Sequence, residues 1–417
     1  MKKISFLTII CLIMINLCAC STNTISKIDS SSKLMKVQTK DNEFNKEVAT
    51  SINELGETLI KSCSDGKENS ITSPLSLAVA LSVLTNGAQE NTKQELMDII
   101  NKSHLDEKTL NEQYCLLLNL LNETGYDEGG KKTTLVQSAN SIWVDERYKL
   151  RDEFVKIAQE YYDSGVYSVD FNDSDSKDDM NKWISDKTNG MIKDYIKKLD
   201  VLDRLFIFNT VYFNGKWVDQ FNKKNTETEK FHLKDGSEID VDMMNAQRQM
   251  SCYEDEEITY GSLSYYGCSM NIVIPKGNID DYIKEFSYQE LNDKLKNKEY
   301  IKCNIKLPKF KYEAEYNLND ALRQLGVEDI FIAYRANLNG IFKENPEPLW
   351  VDKIKQKCVI SVDEEGTEAA ALTSVGLCGS APPPEKIINL YANRPFLYFI
   401  KHGRTGVIMF EGVIYKP

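Results

Sequence analysis

The chain has 417 residues, 41% of them hydrophobic, 10% aromatic and 27% charged, with a formal net charge of -12. That composition supports a large buried core and excludes a disordered chain, while an acidic balance with no basic stripe excludes nucleic-acid binding. Length alone is compatible with two or three domains.

Lys2 and Lys3 precede an apolar run from Ile4 to Ala19 that is broken only by Ser5, Thr8 and Asn16. These are the charged and apolar regions of a secretory signal, short for a membrane span. The run ends in Leu17-Cys18-Ala19-Cys20, which resembles the bacterial lipoprotein cleavage box: residues 1–19 would be removed and Cys20 would carry lipid. An uncleaved anchor and a plain secretory signal are the alternatives. The Ser-, Thr-, Asn- and Lys-rich stretch within residues 20–42 reads as a flexible tether. The expected location is therefore outside the cytoplasm, membrane-anchored through the lipid, or otherwise secreted.

Phe44, Val48, Ile52, Leu55 and Leu59 recur at helical spacing. Ser73-Pro74 opens a second helix, with Ser as N-cap and Pro at the first helical position, and its apolar sequence to Asn86-Gly87 predicts burial nearly all round. Further helices are predicted from Asn91, over Leu110–Leu121, Asp152–Tyr162 and Lys177–Thr188. The acidic run from Asp173 to Asp179 lacks the Gly and closing Glu of a calcium loop and reads as a solvated helix start. A strand is predicted over Thr133–Val144. Arg204–Phe213 is a continuous apolar run, as in a central strand covered on both faces. Strands dominate thereafter, with helical patches near Asp280–Lys296 and Leu318–Leu325 and buried strands over Pro395–Ile400 and Gly406–Tyr415. Strands and helices do not alternate as β-α-β units, which favours an α+β fold with large, mostly antiparallel sheets.

Residues 364–373, E-E-G-T-E-A-A-A-L-T, carry a strand pattern with nothing large on one face. Thr367, Ala369, Ala371, Thr373, Val375 and Leu377 are all uncharged, and strand alternation would turn them together into a core, with Glu368 and Ser374 outward. Yet Gly366 stands in front, and Gly376, Gly379 and Pro382–Pro384 behind, which is loop chemistry. The segment is a loop written so that it can become a strand.

Once Cys11 and Cys18 leave with the signal and Cys20 takes lipid, the cysteines are 63, 115, 252, 268, 303, 358 and 378. They form no C-x-x-C pair or metal-ligand spacing, so no metal or cofactor is expected, and several read as buried apolar residues. Export permits disulfides, which keeps Cys252 with Cys268 as a candidate pair. The only histidines are His104, His232 and His402, and G-x-S-x-G, H-E-x-x-H and phosphate-binding glycine loops are missing, so catalysis is not expected.

Seven blocks, in order, resemble the serpin (serine protease inhibitor) family over roughly Phe44 to Pro417. They are N-S-I-T-S-P-L-S-L at 69–77, S-A-N-S-I-W-V at 138–144, Y-S-V-D-F at 167–171, N-T-V-Y-F-N-G-K-W at 209–217, L-P-K-F at 307–310, E-E-G-T-E-A-A-A at 364–371 and A-N-R-P-F-L at 392–397. The resemblance implies a single domain over 43–417, with three β-sheets, about nine helices and an exposed reactive loop from 364 to about 385. In that family the loop is cut by a serine protease, forms an acyl-enzyme and inserts as a strand into the main sheet, trapping the protease. The hinge would be Glu364, Gly366, Thr367, Glu368, Ala369, Ala370 and Ala371. Counting the family's usual spacing from Glu364 gives Ser380–Ala381 as the reactive bond, with Leu377, Cys378 and Gly379 as alternative bait residues. Small residues there would suit an elastase-like or subtilisin-like protease. Ser73, Ser76 and Asn209 match the cluster beneath the point where the sheet opens. Gln356 stands where the family usually has His, and Trp217 resembles the tryptophan at the hinge entry. The protein is expected as a monomer. A non-inhibitory, serpin-fold binding lipoprotein and a cross-class inhibitor of a papain-like cysteine protease are the alternative functions.

Overall fold

The computed structural model describes residues 33–37, 44–199, 204–344, 347–367 and 386–417. Helix α1 (Lys46–Cys63) starts at Asn45, whose side chain accepts from the Glu47 N–H. Helix α2 (Pro74–Gly87) starts at Ser73, and of its residues only Asn86 escapes full burial. Its cap, its Pro at N1 and its all-round apolar sequence are what the sequence pattern requires. Helices α3 (Glu90–Ile100), α4 (Glu107–Glu123) and α5 (Asp152–Tyr162) follow the expected spacing. Helix α6 (Ser174–Lys187) begins earlier than the expected Lys177, because Asp173 caps it by accepting from the Asp175 N–H. The predicted patch near Asp280–Lys296 is two helices, α7 (Ile279–Glu285) and α8 (Tyr288–Lys294). Phe286 is extended there, and the Ser287 hydroxyl accepts from the Gln289 N–H to start α8 afresh. With α9 (Asn319–Gln324), the described residues hold nine α-helices.

The strands are β1 (Thr134–Asp145), β2 (Lys149–Leu150), β3 (Gly165–Val169), β4 (Leu205–Lys216), β5 (Thr226–His232), β6 (Glu238–Glu254), β7 (Ile258–Tyr265) and β8 (Cys268–Pro275). After them come β9 (Glu299–Pro308), β10 (Phe310–Asn317), β11 (Phe342–Glu344), β12 (Ile354–Val362), β13 (Gly366–Thr367), β14 (Ile388–Tyr391), β15 (Phe396–His402) and β16 (Ile408–Ile414). They build three sheets among the described residues. A six-stranded sheet runs β10-β12-β4-β1-β3 with β13 on β4; an eight-stranded sheet runs β14-β9-β6-β7-β8-β15-β16 with β5 on β6; β11 pairs with β2.

Strand alternation explains why β4 reads as a continuous apolar run. Phe206 and Phe208 face one cluster with Trp143, Trp183 and Val359 under α6, while Leu205, Ile207 and Phe213 face the main core. That main core runs from Phe44 to Ile414 and draws on helices and both large sheets, so the chain forms one domain and not the two or three that length suggested. The cysteines at 63, 115, 252, 268, 303 and 358 are all free, so the candidate Cys252–Cys268 bridge is not formed. All but Cys63 are buried, as small apolar residues are.

One buried charge site stands out. Glu411 on β16 is fully buried; its carboxylate accepts from the Tyr288 hydroxyl at 2.6 Å and the Thr72 hydroxyl at 3.2 Å. Burial pushes its pKa up from the ordinary 4.5 to about 8, against those two hydrogen bonds and with a smaller push from Glu57. An acid with a raised folded pKa holds its full contribution below pH 4.5 and loses it as pH rises toward about 8, because only the unfolded chain ionises freely in that window. Glu411→Gln is expected to remove this slope. Urea unfolding at pH 5 and pH 7.5 should show the unmutated protein losing roughly 3 kcal/mol more than the variant, at 1.36 kcal/mol per pKa unit. Equal losses in both proteins would show that Glu411 does not carry the slope.

Candidate functional site

Three strands bring polar residues to one level of the six-stranded sheet: Gln356 pairs with Asn209 across β12–β4, and Asn209 with Asn140 across β4–β1. An amide in a strand buried on both faces must find partners, and each does so here. Gln356 Nε2 donates to Asn209 Oδ1 at 2.8 Å and to the Ser73 carbonyl at 2.9 Å, while its Oε1 accepts from the Ser73 N–H at 2.9 Å. Asn209 Nδ2 donates onward to Asn140 Oδ1 at 2.7 Å. The Ser73 hydroxyl donates to the Met409 carbonyl at 2.6 Å and accepts from the Ser76 N–H at 3.3 Å. The start of α2 is thus tied to both strands and to β16. Ser73, Ser76, Asn209 and Gln356 lie together in one hydrogen-bonded group. Asn140 was not singled out in the sequence: it lies within S-A-N-S-I-W-V, but only the register shows that it faces Asn209.

This network predicts a large penalty for Gln356→Ala. Truncation would strand the Ser73 N–H and the Asn209 Oδ1 acceptor, and leave the Ser73 carbonyl with only the Leu77 N–H, at a site where Gln356 is fully buried. Each orphaned group costs roughly 1–3 kcal/mol, so a destabilisation of about 3–5 kcal/mol is expected from denaturant unfolding. A loss below 1 kcal/mol would mean that the network adds nothing net.

Above this level the sheet parts. The parallel pairing of β12 with β4 runs from Ile354↔Ile207 to Cys358↔Val211 and then stops. Higher still, β13 pairs antiparallel with β4, Gly366 opposite Lys216 and Thr367 opposite Gly215. Between these two pairings, Val359–Val362 pairs on its far side with β10, and Tyr212–Asn214 on its far side with β1. Among the described residues no strand is placed between β12 and β4 from the end of their pairing up to β13.

A tight turn delivers β13 to that position. Asp363 Oδ1 accepts from the Glu365 N–H at 2.9 Å and the Gly366 N–H at 3.2 Å, and the Asp363 and Gly366 main chains bridge. Gly366 has φ +139, and a Cβ there would lie 2.1 Å from the Gly215 carbonyl oxygen, so only glycine fits. Trp217 stacks on Tyr265 at 4.3 Å between ring centroids, donates from Nε1 to the Asp363 carbonyl at 2.9 Å, and from its N–H to the Glu365 carbonyl at 3.1 Å. Trp217 thus packs against the turn at Asp363–Gly366, the segment that the resemblance would make the hinge entry.

Two glutamates anchor the turn. Glu364 accepts from the Thr226 hydroxyl at 2.8 Å and lies 3.3 Å from Lys309; Glu365 pairs with Lys223. Burial raises the Glu364 pKa, but its own backbone N–H, Thr226 and Lys309 outweigh it and hold the carboxylate below its ordinary value. The described start of the expected reactive loop is therefore not exposed: Glu364, Glu365 and Gly366 are buried and Gly366–Thr367 is already strand. The reason is the partner set of Thr226, Lys309, Lys223 and Trp217, all distant in sequence. Glu368, Ala369, Ala370, Ala371, Leu377, Cys378, Gly379, Ser380 and Ala381 lie outside the described residues, as does Cys20.

Elsewhere, both ring nitrogens of the buried His402 are engaged, Nε2 with Thr124 Oγ1 at 2.6 Å and Nδ1 with Thr405 Oγ1 at 2.8 Å. Burial lowers its pKa to about 4, which keeps it neutral and structural. Among the described residues no cluster of His, Cys, Asp or Glu could hold a metal, and no helix is long and apolar enough to cross a membrane.

A main sheet parted between two parallel strands, with the head of a small-residue segment lodged in the opening, defines the class. The family profile "Serpin (serine protease inhibitor)" matches residues 50–417. The chain is 33% identical over 378 residues to an uncharacterised serpin-like protein of Thermococcus kodakarensis, covering 89% of this chain and 86% of the relative. It is 30% identical over 365 residues to the human leukocyte elastase inhibitor, covering 84% and 93%. Among solved structures, the native state of the thermophilic serpin tengpin superposes with a TM-score of 0.81 at 28% identity, covering 92% of this chain and 97% of that one. The chain belongs to the serpin family.

Proposed function

We propose that this serpin is a suicide-type inhibitor of serine endopeptidases. A target serine attacks the carbonyl of the bait residue, Ser380 in the first assignment; the bond to Ala381 breaks, its nitrogen leaves as a free amine, and an acyl-enzyme ester remains. The segment from Thr367 toward Ser380 then zips antiparallel into the slot between β4 and β12, carrying the acylated enzyme with it before water can deacylate it. The observation that carries this reading is β13, Gly366–Thr367, paired antiparallel on β4 beyond the point where the pairing of β12 with β4 ends at Cys358 and Val211. The uncharged, mostly small alternate positions from Thr367 to Leu377 support it further, since each must pass into a packed sheet.

Small residues around the cut, Gly379, Ser380 and Ala381, favour an elastase-like or subtilisin-like target over a trypsin-like one that needs Lys or Arg. Mixing the purified protein with pancreatic elastase, subtilisin, trypsin and papain tests this. The expected result is a complex with elastase or subtilisin that survives boiling in detergent, releasing a C-terminal fragment that begins at Ala381. A complex with papain alone would replace the target class by a cysteine protease. Clean cleavage with no complex in any mixture would favour a binding protein on the same fold.

A further inference from the structure

Strands β4 and β12 run parallel, so both start at the same end of the six-stranded sheet, and a cavity of about 530 Å³ is lined by residues from both starts. The segment leading into β12 is firmly held there. Asn319 Nδ2 donates to the Asp352 carbonyl at 2.7 Å, and Asn319 Oδ1 accepts from the Ile354 N–H at 2.9 Å. The Val351 N–H donates to the Ile330 carbonyl at 2.9 Å. Leu349 and Val351 are buried, while Trp350 between them is 41% exposed and lines the cavity. A rigid frame therefore presents an aromatic side chain that the core does not enclose.

The cavity is cationic in a chain whose net charge is -12. Lys198 and Arg204 line it ahead of β4, Lys353 and Lys355 at the start of β12, and among the described residues Asp352 is the one carboxylate in the lining. Lys353 pairs with Asp352 at 3.4 Å and Lys355 with Glu315 at 2.9 Å, while Arg204 also acts electrostatically on Asp145. Among the described residues Lys198 has no carboxylate partner. Charges of one sign converging on a cleft focus the field there and draw in an ion of the other sign. Loop insertion does not account for them. Gly366 faces Lys216 and Thr367 faces Gly215, so each residue added antiparallel steps one residue back along β4. Leu377 would come opposite Leu205 and Cys378 opposite Arg204, at the mouth of this cavity, yet residues 377–381, Leu-Cys-Gly-Ser-Ala, carry no charge.

We propose that this cavity binds a nucleoside diphosphate, its base against Trp350 and its phosphates among Lys198, Arg204 and Lys353, and that the bound ligand obstructs the last steps of loop insertion. The second half rests on the trapping mechanism proposed above; the first does not. The volume lies within the range of small-molecule sites. An exposed aromatic face takes a flat ring by stacking, a contact that a bare inorganic anion cannot make.

Titration of the intact protein with ADP, read by calorimetry and by tryptophan emission, tests the site. Of the four tryptophans only Trp350 is exposed, so a base seated on it should change the emission. Saturable one-to-one binding is expected, weakened about tenfold or more in Lys198→Gln and Trp350→Leu, and for adenosine and pyrophosphate, which each carry half of the ligand. Lys198 is exposed, so its variant keeps the test valid if Trp350→Leu folds poorly. Undetectable ADP binding, or equal affinity in the unmutated protein and Lys198→Gln, overturns the site. Pyrophosphate binding as tightly as ADP overturns its aromatic half. A second measurement mixes the protein with elastase or subtilisin, with and without saturating ADP. The detergent-stable complex should lose share to free cleaved protein at an unchanged rate of cleavage, and equal shares overturn the obstruction. Failure to form a complex even without ADP counts against the trapping mechanism and removes the obstruction with it, while calorimetry still decides the site.

Discussion

Cutting the Ser380–Ala381 bond in the purified protein, with no protease left attached, is expected to raise its melting temperature by roughly 20 °C. The estimate comes from backbone chemistry. Insertion would extend the two-residue β13 along β4 and β12, past the point where the described β12–β4 pairing ends at Cys358 and Val211. A new ladder of about a dozen hydrogen bonds at ~1 kcal/mol net each contributes on the order of 10 kcal/mol, before any gain from burying the inward side chains. In a large domain each kcal/mol moves the midpoint by about 2 °C. On the proposed mechanism the intact chain is metastable, with the cluster at Ser73, Asn209 and Gln356 and the glutamate anchors at the hinge holding the parted form. A cleaved protein that melts within a few degrees of the intact one would leave the fold standing and remove the stored energy.

Thr367→Arg is expected to turn the inhibitor into a substrate. Thr367 is the register partner of Gly215 on β4, at the first step of the inward series that continues through Ala369 and Ala371. The Gly215 position has no room to spare, since a Cβ there would sit 2.7 Å from the Phe213 ring and 3.0 Å from Tyr265. Forcing a guanidinium through that point carries a desolvation cost of several kcal/mol without a counter-ion, enough to slow insertion by orders of magnitude. Deacylation then wins the race. The bait bond should be cut as fast as before, while the detergent-stable complex falls from the main product to a few per cent. Gel densitometry at equal molar ratios measures both outcomes, and an undiminished complex would show that a charge at position 367 does not impede insertion.

Much of the scaffold was legible because its signals are local. Ser73-Pro74 and the apolar run behind them specify a capped, buried helix, and Arg204–Phe213 reads as a strand covered on both faces. The α6 start was missed because Ser174, Asp175 and Ser176 carry no apolar period, so only the Asp173 cap marks it. The break between α7 and α8 was missed because Phe286 and Ser287 do not interrupt the apolar spacing. In the site, the resemblance named Ser73, Ser76, Asn209 and Gln356, which the structure brings together, while most of the hinge that alternation singled out lies outside the described residues. What stayed hidden depends on strands meeting across the sheet: Asn140 facing Asn209, and Thr226, Lys309 and Lys223 converging on Glu364 and Glu365 so that the hinge starts buried. Chain separations of more than fifty residues divide each of those partners, and no local pattern reports them.

Hydrogen–deuterium exchange before and after loop cleavage asks the central question most directly. If the cut loop becomes a strand between β4 and β12, amides in peptides covering 208–216, 358–364 and 367–379 become strongly protected together, while β1 and β10 on the outer sides keep their original rates. If those three peptides exchange as fast after cleavage as before it, the loop has not entered the sheet and the trapping mechanism is contradicted.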